Sequence, residues 1–253
     1  MPRSGVSHAQ AQLVSLQPDW PAPADVRAVF TLRGGGVSVG PCASLNVAVH
    51  VADDPAAVAE NRRRIAGAFA LPSEPAWLSQ VHGDRVVRLG PGAGEVRADG
   101  AITTERGRVC VIQVADCLPV LFSAHDGSAV GAAHVGWRGL AAGVLEATVS
   151  ALDVPPGQLL AWIGPGIGPA HFEVGPEVRD ALVGAAGAAA AFLPNARHRW
   201  QCDLVALVRL RLAALGLTQV FGGSWCTFAD AERFFSYRRD QRCGRMAALI
   251  WRV

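Results

Sequence analysis

The sequence predicts a mixed α/β fold of the α+β kind, with a mixed sheet or paired sheets carrying helices on the outside. Strand-like segments outnumber helical ones, arrive in clusters, and do not alternate with helices as a doubly wound sheet or a barrel requires. Hydrophobic residues make up 51% of the 253-residue chain and charged ones 17%, ample apolar material for a large core and an argument against disorder. Neither an internal repeat nor a linker divides the chain, so residues 26–253 read as a single domain.

Residues 1–25 hold Pro, Gln, Ser and Asp without an apolar segment, and read as a flexible N-terminal tail rather than a secretory leader. A strand over 27–33 then runs into Gly34, Gly35 and Gly36. Asp54 as N-cap and Pro55 in the first turn predict a helix through Val58, Ile65 and Phe69. Its triplet Arg62, Arg63 and Arg64 reads as a solvated face. Five short apolar segments follow, over 76–81, 100–104, 109–115, 119–123 and 129–135, each bounded by Gly, Asp or Pro. Leu140, Val144, Leu145, Val149 and Leu152 have helical spacing. A buried strand over 159–163 closes on Gly164, Pro165 and Gly166, and a helix is expected over 176–183. The Ala/Gly-rich stretch 184–191 fits either a continuation of that helix or a loop. Asp203 caps a helix with Leu204, Leu207, Val208, Leu212 and Leu215 on one side, and 246–251 is the last expected strand.

A formal net charge of +2 gives no overall pull toward nucleic acid or membrane. All 23 basic residues are Arg and none is Lys, which a GC-rich coding bias explains more simply than 23 functional choices. No apolar run reaches the length of a bilayer span. Cys42, Cys110, Cys117, Cys202, Cys226 and Cys243 form no CxxC pair, and the expectation is a cytoplasmic chain with reduced thiols, monomeric or weakly oligomeric. P-loop, HExxH, GxSxG and EF-hand patterns are absent, and no GxGxxG opens a helix after Gly34.

What remains are polar residues where strands meet loops: Gln80-Val81-His82-Gly83, Ala115-Asp116-Cys117-Leu118-Pro119, and His134-Val135-Gly136-Trp137-Arg138-Gly139. Two imidazoles and a thiolate suit a tetrahedral zinc with one position open. A Cys117–His134 nucleophile–base pair without metal is a different functional reading. A lone histidine beside a strand is more often a hydrogen-bonded structural group and a lone cysteine more often core. The spacings from His82 to Cys117 to His134 carry no local signature.

At these residues the chain resembles the laccase-domain family, also called YfiH-like or multicopper polyphenol oxidoreductase-like. Ser79-Gln80-Val81-His82-Gly83, Ala115 through Leu121, and His134 through Leu140 resemble its three central motifs. Further matches are Arg33 through Ser38, Ser44-Leu45-Asn46, Trp162 through Pro169, Phe172 through Gly175, Cys226-Thr227, and Phe234 through Asp240. Cys42, Val135 and Cys243 depart from what the family usually shows, and none is a proposed ligand.

The resemblance implies an α/β/β/α sandwich similar to the catalytic domain of cytotoxic necrotizing factor, and zinc held by His82, Cys117 and His134. It also implies phosphorolysis of adenosine, inosine and methylthioadenosine, with adenosine deaminase activity. Copper is the less favoured metal, because seven histidines spread along the chain do not supply the clustered ligands of a multicopper site.

Purine nucleosides and phosphate are the expected partners. Arg33 and Arg138, each beside glycines, are candidate phosphate ligands, with Asn46 as a neutral donor. Asp116 and Glu173 are candidate proton shuttles, and Asp116 equally fits a role orienting a ligand. Phe234, Phe235 and Tyr237 are candidates for stacking on a base. Two other classes stay open: a hydrolase cleaving an amide in a UDP-muramoyl amino-acid precursor, and a non-enzymatic partner protein.

Overall fold

The computed structural model describes residues 13–90 and 96–253. In chain order its strands and helices are β1 (Ser15–Leu16), β2 (Val26–Thr31), α1 (Pro55–Ala68), β3 (Val86–Arg88), β4 (Gly100–Thr103), β5 (Val109–Val114), β6 (Leu118–Ala124) and β7 (Val130–Val135). Then follow α2 (Trp137–Ala142), α3 (Val144–Leu152), β8 (Leu159–Ile163), β9 (Glu173–Val174), α4 (Pro176–Leu182), β10 (Phe192–Pro194) and β11 (Trp200–Cys202). The chain ends with α5 (Leu204–Ala214), β12 (Gln219–Gly222), α6 (Tyr237–Asp240) and β13 (Met246–Arg252).

The result is a mixed α/β fold with three sheets and six α-helices among the described residues. One sheet has the order β1-β2-β13-β5 and is antiparallel throughout. The largest runs β12-β8-β6-β7-β4-β3 and is mixed, with parallel pairs only at its two edges. The third, β10-β11-β9, is small and antiparallel.

Period-two alternation explains how the two larger sheets stack. On β5, Cys110, Ile112 and Val114 join one core with Leu121 of β6, Ala132 of β7 and Trp162 of β8. The alternate residues of β5 and β13, Val109, Val111, Ala247 and Leu249, pack instead with Ile65 of α1. On the other side of the six-stranded sheet, Val120, Phe122, Ala133 and Ala161 meet Leu145 and Val149 of α3 and Leu207 and Val208 of α5. Strands buried on both faces read as continuous apolar runs, which is why they stand out in the sequence.

Several elements differ from expectation for local reasons. The helix expected over 140–152 is two helices, because Gly143 at φ 98° breaks the turn between α2 and α3. Segment 76–81 makes only single bridges, Ala76 to Cys110 and Ser79 to Arg97. Stretch 184–191 leaves α4 and ends in a short 3-10 turn at Ala188–Ala191. The expected tail shortens: Leu13 is buried, β1 pairs with β2, and Trp162 Nε1 donates to Asp19 Oδ1 at 3.1 Å. Residues 1–12 of that tail lie outside the described residues. The two expected caps form, Asp54 accepting from Ala56 N and Asp203 from Ala206 N, each at 2.9 Å. No helix among the described residues is long and apolar enough to cross a membrane.

Candidate metal centre

Three neighbouring strands end together. β6 begins just after Cys117, β7 ends just after His134, and β4 begins just after Asp99. Antiparallel register sets Leu118 opposite Val135 and Gly100 opposite Ala133. Cys117, His134 and Asp99 are thereby brought to one edge of the sheet by main-chain pairing alone. The fourth member, His82, arrives on the loop before β3.

Asp99 holds that loop. Its fully buried carboxylate accepts from the backbone amides of Val81 (3.1 Å), His82 (2.8 Å) and Gly83 (2.8 Å), and pairs with His134 Nδ1 at 2.9 Å. Burial alone would push this carboxyl up, but the bond to His134 and the amides of Gly83 and Val81 outweigh it and hold the group below its ordinary range. The same amide cradle compensates His82 for a left-handed backbone, φ 62°. With Nδ1 of His134 engaged by Asp99, Nε2 is left to face the cluster, the carboxylate–histidine arrangement that orients metal ligands.

One donor atom each from His82, Cys117 and His134 lies within 4.8 Å of the others, and Cys117 Sγ is 3.8 Å from His82 Nε2. Zinc bonds of about 2.3 Å to sulfur and about 2.05 Å to nitrogen, at a tetrahedral angle, imply an S···N edge of about 3.6 Å. Gly136 supplies the remaining room: a Cβ there would sit 2.9 Å from Cys117 Sγ and 3.1 Å from His82 Cδ2. The residues fit a zinc ion.

The electrostatics point the same way. Burial raises the Cys117 thiol, but the positive field and hydrogen bonds of His134 and His82 overcome it and depress the value. In the reciprocal sense, burial lowers His134 while the Cys117 thiolate and Asp99 raise it above the ordinary imidazole value. Cys110 and Cys202, which have no such neighbours, are pushed up by burial.

The cluster opens into a cavity of about 450 Å³, within the size range of small-molecule sites. Its lining includes apolar Ile167, Phe172 and Leu204 and polar His50, Arg138, Tyr237, Arg238 and Arg245. His50 makes no side-chain hydrogen bond among the described residues. Burial, then the charges of Arg245 and His134, lower its pKa and favour the neutral ring.

Asp116 lines the cavity but is occupied: Oδ1 accepts from Thr227 Oγ1 at 2.7 Å and Oδ2 from Arg238 N at 2.6 Å. It braces the turn before Cys117, where its own φ is 91°.

Two residues expected to bind phosphate fall elsewhere. Arg33 donates to the carbonyls of Ala43 (3.1 Å) and Ala231 (2.8 Å), stacks on Phe235 at 4.7 Å, and lines a separate depression with Pro41 and Arg239. Asn46 is fully buried, bonded to Ala48, Asp53 Oδ2 (2.7 Å) and Arg245 N (2.9 Å). Both fasten loops, because buried polar groups take the nearest backbone partners. Phe234 and Phe235 are core residues, whereas Tyr237 lines the cavity. Glu173 Oε2 is held by Asn195 Nδ2 and Arg197 Nε, each at 2.7 Å. Asp99 and His50 escaped the sequence reading, since neither sits in a motif of recognisable spacing.

Residues 27–253 match the family model described as multi-copper polyphenol oxidoreductase laccase. The chain belongs to this laccase-domain family. It is 56% identical over 238 residues to a purine nucleoside phosphorylase of Pseudomonas aeruginosa, covering 93% of this chain and 97% of that protein. To the purine nucleoside phosphorylase YfiH of Escherichia coli it is 50% identical, with 93% and 98% covered. Among solved laccase-domain structures, a Neisseria meningitidis protein superposes with a TM-score of 0.90 at 45% identity, over 94% of this chain and 98% of that one.

Proposed function

We propose that this protein is a zinc-dependent purine nucleoside phosphorylase. It cleaves adenosine, inosine and methylthioadenosine to the free base and (methylthio)ribose 1-phosphate, and deaminates adenosine as a second reaction. The observation that carries the reading is the His82, Cys117 and His134 cluster lining one cavity with apolar side chains and arginines. Relatives at 50% and 56% identity are named purine nucleoside phosphorylases, which supports the phosphorolysis.

His82, Cys117 and His134 would hold the zinc, which would supply Lewis-acid charge to the cavity. The chain does the rest. Arg138 and Arg238 present guanidinium groups to phosphate. Phe172 and Tyr237 offer aromatic surface to the purine. In phosphorolysis a phosphate oxygen bonds to the ribose C1′ as the C1′–N9 bond breaks, and the departing base takes up a proton at its imidazole ring. His50 is the one histidine lining the cavity outside the metal cluster, and we assign it to hydrogen-bond that base. Asp116 positions the Cys117 turn rather than moving protons, since both its oxygens are engaged.

One observation favours a second reading. Cys117 Sγ lies 3.8 Å from His82 Nε2 with its thiol held below the ordinary range, which is also the arrangement of a cysteine nucleophile beside a base, as amide hydrolysis of a muramoyl precursor needs. Product analysis separates the two: zinc-loaded protein with adenosine or inosine, with and without phosphate, against Cys117→Ala. Phosphate-dependent release of base and ribose 1-phosphate, lost in the variant, is the expected result. Turnover of neither nucleoside, with hydrolysis of the precursor amide, would put the second reading first.

A further inference from the structure

A second hollow, of about 270 Å³, adjoins the metal cavity and shares Trp137, Arg138, Phe172 and Arg238 with it. Arg199, Glu173 and Glu177 line its remaining side. The charges there are not equally available. The Glu173 carboxylate is already held from outside by Arg197 and Asn195. Arg238 spends one N–H on the Glu173 carbonyl at 2.7 Å and lies over the Phe172 ring, keeping its other donors. Arg138 is splayed on Trp137, 4.3 Å from the ring centroid, and its guanidinium makes no hydrogen bond or ion pair among the described residues. The Arg199 side chain is likewise unengaged there, although its backbone N–H donates to Asn195. Three guanidinium groups thus face one uncommitted carboxylate, Glu177.

We propose that this annex is a phosphate-binding subsite formed by Arg138, Arg199 and Arg238, with Glu177 as an opposing charge that limits its affinity. Guanidinium forks match the tetrahedral oxyanion in geometry as well as charge. The shared rim lets the bound group stand beside a nucleoside in the metal cavity. Two sources carry this chemistry: free inorganic phosphate, or the 5′-phosphate of a nucleotide whose base and sugar occupy the main cavity. Use of the subsite in turnover rests on the phosphorylase reading, but phosphate binding itself does not.

Calorimetric titration of the full-length zinc-loaded protein tests it, with inorganic phosphate, adenosine and adenosine 5′-monophosphate as separate probes. Arg199→Gln is expected to weaken phosphate binding about tenfold, about 1.4 kcal/mol. Glu177→Gln should tighten it a few-fold, and adenosine should bind both variants as it binds wild type. If the 5′-phosphate is the source, the nucleotide's dissociation constant moves in these directions while that of inorganic phosphate stays. Arg199 and Glu177 are exposed, so both variants should fold, which unchanged melting temperatures would verify. Unchanged dissociation constants for both phosphate ligands in both variants would overturn the proposal. Absence of nucleoside cleavage would count against the phosphorylase reading alone.

Discussion

The loop from Arg33 to Asn46 and the strand ends around Asp99 both gather polar side chains beside glycines where a strand gives way to a loop. In the first region, polar capacity is consumed internally: Arg33 serves backbone carbonyls, and Asn46 bonds Ala48, Asp53 and Arg245. In the second, Asp99 consumes its own capacity so that His82, Cys117 and His134 keep theirs for the cavity. Unspent bonding capacity at a cavity wall, rather than polarity as such, separates a site from a fastening.

Breaking each region should have a different signature. The largest effect is expected from Cys117→Ala, which should abolish metal retention measured by elemental analysis. It should also remove several kcal/mol of transition-state stabilisation, a loss of roughly a thousandfold or more in kcat/KM. Asp99→Asn should lower zinc affinity about 10- to 100-fold in a competitive chelator titration, because His134 loses its orienting partner. An unaltered zinc affinity in that variant would remove Asp99 from the account of the site.

Asn46→Ala should behave in the opposite way, costing about 2–3 kcal/mol in denaturant unfolding while leaving kcat/KM of the folded protein at the wild-type value. Arg33→Gln should cost about 1 kcal/mol and leave the KM for phosphate unchanged. A selective rise in that KM would return Arg33 to the binding site.

The smallest effect sharpens the comparison through pH. In metal-free protein the folded Cys117 thiol lies below its ordinary 9.0, so its alkylation rate should rise with pH through a midpoint under that value. Lowering the pH through that midpoint protonates the thiolate and slows the reaction. Replacing His134 with Asn should move the midpoint up, while Cys110 and Cys202 react slowly throughout.

Much of this was legible in the sequence because strands buried on both faces leave unbroken apolar runs. Cys117 and His134 stand at the ends of two such runs, so their place beside a rigid edge followed from the pattern. Asp99 did not, because it is 17 residues from His82 and 35 from His134, and only sheet order brings the three together. The partners of Arg33 were hidden for the same reason: one of its carbonyl acceptors, Ala231, is 198 residues away. The β9–β11 sheet escaped because strands of two or three residues carry no measurable period. The break at Gly143 escaped because apolar spacing continues across it.

Asp99 also couples the two imidazoles of the candidate site. One carboxylate holds the His82 loop and the His134 ring at once, so the two side chains share a single anchor. Whatever shifts that anchor shifts both imidazoles together, so the pair answers to a change at Asp99 as one unit.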